Sequence, residues 1–437
     1  MQRLPSTRPP PSGPAEPGTA CALERYRSVR AATEALCAPL SPEDMALQSM
    51  PDASPAKWHL AHTTWFFETF VLVPGSASYR PFHPAFEQLF NSYYRSVGDP
   101  FPRPKRGLLS RPSVQEVLRY RRHVDAEMER LLGDAEGTTA RALEATIALG
   151  LAHEQQHQEL VLTDVKHGLA QSPLRPSYRE APPRTIPRER RTSGAALEFV
   201  AWPGGIASIG HAGEGFAFDN EAPRHRRWLE PFALATRLVT NGEWLSFLED
   251  RGYARPSLWL AEGFDAVERE GWRAPLYWEH DGSGWLHYTL DGLRPLEADD
   301  PVCHVSFYEA DAFARWAGAR LPGEDEWEVA ASTAPLEGNF VESGRLAPAP
   351  APASRGVGQL FGDVWEWTRS AYSPYPGYAP PPGALGEYNG KFMSGQLVLR
   401  GGSCATPASH VRASYRNFFP PAARWQFSGV RLARDAR

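Results

Sequence analysis

The chain changes character near residue 200, and this change imposes two folding regimes on one polypeptide. Twelve of its 14 Trp and 27 of its 37 Gly follow that point. Before it lie long stretches of helical periodicity, at 20–40, 54–73, 113–132 and 138–170. In the third, Val114, Val117, Leu118, Val124, Met128 and Leu131 recur at three- and four-residue spacings and so share one helix face. Pro55 suits the first turn of the second helix, with Ser54 or Asp52 as its cap. Four amphipathic helices of this length predict a four-helix bundle. The connection over 72–112 is too long for a turn, and loops of that length are usually functional.

After residue 196 the pattern is short segments broken by Gly, Pro and Asn. Asp363-Val-Trp-Glu-Trp-Thr368 alternates like a strand, and 240–249 and 306–318 read as short helices. An irregular α+β domain with aromatic side chains in its core is expected. The low-complexity stretch 336–356 is expected to be an exposed excursion. The predicted division is a disordered tail at 1–20, the bundle at 21–172, a Pro- and Arg-rich linker at 173–196 and the second domain at 197–437.

Composition narrows the partners. With 46 Lys+Arg against 51 Asp+Glu, the net charge of −5 gives no global attraction to nucleic acid or to an anionic membrane. No apolar run approaches the ~18 residues of a membrane-spanning helix. The first twenty residues lack a signal-peptide core, and the four cysteines (Cys21, Cys37, Cys303, Cys404) form no C-x-x-C. A reducing, cytoplasmic setting is the expectation.

The chemistry concentrates in Leu151-Ala-His-Glu-Gln-Gln-His-Gln-Glu159. His153 and His157 stand four apart on a helix, so both imidazoles can reach one metal from adjacent turns. Read literally this is H-E-x-x-H, the zinc-protease helix with Glu154 as general base. The metzincin continuation is missing, and His167 lies about 15 Å farther along the helix. A third ligand is available in Trp58-His-Leu-Ala-His-Thr-Thr-Trp65. His62 is four residues after Trp58 and three before Trp65, inside an aromatic stripe that should face the bundle interior. His59, one face over, is expected to pack or to support a ligand from outside. Three neutral imidazoles leave a divalent metal with open positions. Spacing alone does not choose between zinc, which would activate water, and Fe(II).

These motifs carry a resemblance. W-H-x-x-H on one helix and H-E-x-x-H-x-E on another are similar to DinB-like bundles. The second half resembles the formylglycine-generating-enzyme (sulfatase-modifying factor) domain, of C-type-lectin-like architecture. It does so through Phe218-Asp-Asn-Glu-Ala-Pro-Arg-His225, Val239-Thr-Asn241, Pro301-Val-Cys-His-Val-Ser306, Arg320-Leu-Pro-Gly-Glu-Asp-Glu-Trp-Glu328, Gly362-Asp-Val-Trp-Glu-Trp-Thr368, Arg400-Gly-Gly-Ser403 and Gly429-Val-Arg431. The fusion of the two resembles the ergothioneine-biosynthesis sulfoxide synthases. That resemblance implies an Fe(II) enzyme joining a thiol to C2 of the imidazole of hercynine with dioxygen. Thiol, imidazole C–H and O2 give sulfoxide and water, so no reductant is needed. In keeping with this, no G-x-G-x-x-G opening a helix and no P-loop occur.

By the resemblance the metal ligands are His62, His153 and His157, and Gln156 could hydrogen-bond the imidazole of hercynine. Arg103 and Arg106 match arginines that hold the thiol's carboxylate, which suits guanidinium chemistry. Asn417 matches an Asn near the substrate. Phe418-Phe419 stands where γ-glutamylcysteine users carry Trp-Asp, so free cysteine is expected as the donor. Phe418 or Trp425 could face the quaternary ammonium. A phenol is expected near the metal, with Tyr93 and Tyr94 favoured over Tyr372, Tyr375 and Tyr378. Cys303 and Cys404 match the copper-binding cysteines of formylglycine formation poorly and are expected to be buried packing residues. Two other enzyme readings stay open: an ovothiol-type synthase acting on histidine, and a zinc-dependent thiol transferase or hydrolase. A binding protein with a structural metal is the non-enzyme alternative.

Overall fold

A computed structural model describes residues 19–133, 138–179, 197–213, 215–352 and 356–436. Positions 1–18 of the expected tail and 180–196 of the expected linker lie outside the described residues. The start of that linker is docked onto both halves. Tyr178 is buried, donates its hydroxyl to the Leu36 carbonyl and takes a 2.8 Å backbone bond to Leu290.

The first half is built from α1 (Thr19–Cys37), α2 (Ala56–Phe67), α3 (Val114–Gly133) and α4 (Glu144–Ala170). Both α1 and α2 pack on α3 and on α4, which closes the bundle. The α3 stripe is the one its periodicity predicts, with Val117, Val124 and Met128 buried. The expected fourth helix is interrupted. A short helix, Thr138–Ala142, precedes α4, with non-helical backbone at Leu143 between them.

Neither Ser54 nor Asp52 caps α2. Pro55 holds the cap position, and the Ser54 N–H goes instead to the Asp164 carboxylate at 2.8 Å. Every residue of α2 is buried, so its polar side chains need partners inside the protein. Past its end, Glu68 accepts from the Tyr79 hydroxyl, the Phe82 N–H and the Tyr120 hydroxyl, anchoring the long loop across the bundle. The α2–α4 approach depends on Gly150. A Cβ there would lie 2.7 Å from Phe67 Cε1 and 2.9 Å from Phe66 Cδ1.

In the second half the main sheet runs Asn417–Phe419, Leu397–Arg400, Trp365–Ala371, Ser428–Gly429. Its first two pairings are antiparallel and its last is parallel. A second sheet centres on the fully buried strand Phe232–Ala235, between Phe199–Trp202 and Ala433–Asp435. The expected helices appear as Asn241–Glu249 and Phe307–Trp316, each opened by a capping box, Thr240 with Glu243 and Ser306 with Glu309. Charged residues of the second domain's motifs form buried ion pairs. Arg400 pairs with Glu324 and Glu328, and Arg431 with Glu366, all buried. Of the twelve Trp after residue 200, Trp244, Trp327, Trp365 and Trp367 are fully buried in the core, while Trp228 is exposed.

The halves meet along α4. Glu159 accepts from Trp365 Nε1 at 2.7 Å, Ser403 Oγ at 2.7 Å and Thr406 Oγ1 at 2.8 Å. Gln155 donates to Ser409, and Lys166 Nζ lies 2.6 Å from His304 Nε2. Among the described residues, no helix is long and apolar enough to cross a membrane.

Candidate metal centre

The i,i+4 pair on α4 and His62 on α2 converge. Ligand-capable nitrogens of His62, His153 and His157 lie within 4.8 Å of one another, and all three side chains are buried. His62 is sandwiched between Trp58 and Trp65, with ring centroids 4.6 and 5.5 Å away at interplanar angles of 14° and 15°. That stack is the aromatic stripe read from the sequence. His62 Nδ1 is 2.6 Å from the Phe90 carbonyl, which can only accept. Its proton is therefore on Nδ1, and the Nε2 lone pair points to His153 Nε2, 3.2 Å away. Two imidazole nitrogens bound at about 2.0–2.1 Å to one divalent ion sit about 3 Å apart, so this spacing fits shared ligation. His153 Nδ1 is buried without a hydrogen-bond partner among the described residues. Burial holds all three imidazoles below their ordinary range, His153 at about 3, so they stay neutral as ligation requires.

Glu154 does not serve the literal protease motif. Its side chain is fully buried and turned away from the histidines, bonded to Arg30 at 2.8 Å, Arg121 at 2.6 Å and Thr33 at 2.7 Å. Despite the opposing effect of burial, the two guanidiniums bring its carboxyl down to about 2. A carboxylate locked between two buried arginines cannot take a proton from water near neutral pH.

The other expected residues are placed unequally. Gln156 is at the junction of the halves: its Nε2 donates to the Tyr415 hydroxyl at 2.8 Å, and its carbonyl oxygen accepts from the Tyr388 hydroxyl. Arg106 is buried with its guanidinium carbon 3.3 Å above the Trp58 ring, donating to Ser54 Oγ at 2.9 Å and Ser92 Oγ at 3.1 Å. Among the described residues it has no carboxylate within ion-pair distance, and burial, with Arg103 nearby, holds it well below the usual guanidinium range. Arg103, on the same turn, is exposed. Asn417 is half-buried and caps its neighbour, accepting the Phe418 N–H at 2.9 Å. Phe418 stacks on Tyr372 with centroids 4.0 Å apart. Trp425 packs edge-on to Phe419.

Tyr93 and Tyr94 stack on each other at 4.7 Å, and Tyr94 packs between Trp65 and Phe70. Tyr375 lies under Arg416, and Tyr378 donates to Asp219. The phenol against the triad is one the sequence did not single out. The Tyr388 ring is 5.6 Å from that of His153, edge to face. Its backbone position is set by Glu387, which accepts from Arg95 and Ser96, and by Phe218, which stacks on its ring. Tyr388 ends a short turn in a Gly- and Pro-rich segment, so no periodicity marks it. Cys303 and Cys404 are buried free thiols, and burial pushes Cys303 up to about 12.

Comparison with known proteins follows the same two halves. The DinB superfamily profile matches residues 25–161, and the sulfatase-modifying factor enzyme 1-like domain matches 184–355 and 347–436. The hercynine oxygenase of Mycolicibacterium thermoresistibile is 34% identical over 429 residues, 90% of each chain. That of Mycobacterium tuberculosis is 33% identical over 418 residues, 90% of this chain and 93% of the relative. The formylglycine-generating enzyme of Streptomyces coelicolor is 31% identical over 304 residues, 59% of this chain and 94% of the relative. Carrying both domains and matched over about nine-tenths of each chain at 33–34% identity, the chain belongs to the hercynine oxygenase family of oxidoreductases.

Proposed function

We propose that the protein joins C2 of the imidazole of hercynine to the sulfur of cysteine, using Fe(II) and O2, and releases the sulfoxide and water. The observation that carries this reading is the set of three buried neutral imidazoles whose nitrogens face one another at the junction of the two halves. Iron(II) held by His62, His153 and His157 would supply dioxygen activation and a position for the thiolate.

The chain's own groups have defined tasks. Gln156 faces the junction with its amide fixed at both ends, by Tyr415 and Tyr388, so it can orient a substrate imidazole. The Tyr388 ring packs edge-on to that of His153 while its hydroxyl donates to Gln156, and burial keeps that phenol well above its ordinary range, so it retains its proton. We assign it the proton-donor role, with Tyr93 and Tyr94 as the aromatic wall behind it. Arg106 offers the anion of the thiol substrate a desolvated guanidinium. One inward guanidinium, with Arg103 outside, suits the single carboxylate of cysteine better than the two of γ-glutamylcysteine. Phe418, stacked on Tyr372, and Phe419 beside it supply no carboxylate to receive the glutamyl amine of γ-glutamylcysteine.

The test is anaerobic, iron-loaded enzyme mixed with hercynine and cysteine and then exposed to O2, with O2 uptake and product mass measured. A C–S product from cysteine at a higher kcat/KM than from γ-glutamylcysteine is expected. No such product with cysteine, γ-glutamylcysteine or glutathione sinks the proposal. Faster turnover of histidine than of hercynine would move it to the ovothiol type.

A further inference from the structure

We propose that Asp164 and His59 form a relay that fixes the tautomer of His157 and so aims its metal-binding lone pair. The inference rests on the metal-centre reading above. Asp164 lies seven residues after His157 on α4, two turns along the same face. His59 reaches from α2 into the space between them. Asp164 Oδ2 accepts the Ser54 N–H at 2.8 Å and stands 3.0 Å from His59 Nε2. A carboxylate oxygen already serving as acceptor for a backbone N–H leaves His59 Nε2 as the donor. In a neutral imidazole the other nitrogen is then a lone pair. His59 Nδ1 lies 2.7 Å from His157 Nδ1, so the single proton between them belongs to His157. His157 is left with a bare Nε2, the nitrogen able to join those of His62 and His153.

The arrangement has a parallel within the site. His62 reaches the same tautomer through the Phe90 carbonyl. His59 and Asp164 are both buried, so neither bond has water as a substitute. Ser54 also ties the relay to Arg106, because its Oγ accepts from that guanidinium. His59 is thus a positioning residue, acting through His157.

Two measurements test this on the full chain. The first is Co(II) titration followed by its visible absorption, for wild type, His59→Phe, His59→Gln, Asp164→Asn and His62→Ala. Loss of an outer partner of a metal-bound His typically weakens binding about 10–100-fold, and that loss is expected for His59→Phe. His59→Gln, whose side-chain carbonyl can accept from His157 Nδ1, and Asp164→Asn should recover most of it. The second is 15N NMR of histidine-labelled, zinc-loaded wild type, where His157 should show a protonated Nδ1. A folded His59→Phe with wild-type Co(II) affinity, or a protonated Nε2 on His157, overturns the relay. Should His59→Phe not fold, the NMR result decides. If His62→Ala also binds Co(II) like wild type, the metal-centre reading itself has failed. If only His62→Ala weakens binding, the centre stands and the relay does not.

Discussion

Replacing Glu154 by Gln separates two meanings of H-E-x-x-H. In a zinc protease the glutamate is the base, and its amide would abolish catalysis while leaving the fold intact. Here Glu154 compensates Arg30 and Arg121, whose side chains are only 4% and 0% exposed. Their other carboxylates, Asp125 and Glu34, are partly solvent-exposed and compensate less. The carboxyl sits at about 2 against an ordinary 4.5, which at 1.36 kcal/mol per pH unit amounts to about 3 kcal/mol favouring the charged, folded arrangement. Breaking a buried pair costs about 3–5 kcal/mol, the same range by an independent route. Glu154→Gln should therefore lower unfolding stability at pH 7 by about 3 kcal/mol, measured by urea denaturation. The folded pKa is depressed, so the wild-type advantage should be full above pH 4.5 and shrink as pH falls toward 2. A Gln variant within about 1 kcal/mol of wild type at pH 7, yet catalytically dead, would refute this and restore the general-base reading.

Three further outcomes follow from packing and charge. Gly150→Ala drives a methyl into Phe66 and Phe67 and should cost about 1–3 kcal/mol by denaturation, with weaker Co(II) binding as α2 and α4 separate; an unchanged melting midpoint would contradict the close approach. Arg106→Leu removes a charge-assisted contact worth about 1.5–3 kcal/mol, so the KM for cysteine should rise about 10- to 150-fold, with that for hercynine nearly unmoved; equal shifts in both would displace Arg106 from the thiol side. Lys166 is held by burial down to about 8, so between pH 8 and 10.5 the unfolded chain binds more protons and stability should climb by up to about 3 kcal/mol. Lys166→Met should flatten that climb in pH-dependent urea midpoints, and an unaltered slope would show that the ammonium is not desolvated.

The parts of the site set by local periodicity were legible, and those set by the meeting of surfaces were not. His153 and His157 share a face because helical hydrogen bonding dictates it, and the Trp58–His62–Trp65 stack follows from spacings of four and three. The pairing of His59 with Asp164 depends on how α2 seats against α4, where Gly150 meets Phe66 and Phe67. Arg103 and Arg106 look equivalent in sequence, but only Arg106 turns inward over Trp58. The split into a bundle and an aromatic α+β domain was readable from tryptophan and glycine placement. The second domain's most prominent motifs proved to be caps and buried ion pairs.

Helix α4 explains why the halves are one chain. From Leu151 to Gln155 and again from His157 to Glu159 its residues are buried on every side, so it shows no polar face. One side presents His153 and His157 to α2, and the other presents Gln155 and Glu159 to the second domain. Gln156 sits at the seam between them, bonded to Tyr388 and Tyr415 from that domain. A bundle without the domain would leave Glu159 without Trp365, Ser403 and Thr406 and would lose the phenol ring against His153. Within the second domain, Cys303 and Cys404 are buried thiols whose raised pKa leaves almost no thiolate for metal or nucleophilic chemistry. On the proposed reaction, therefore, the metal ligands come from the bundle, the proton donor comes from the second domain, and α4 sets the distance between them.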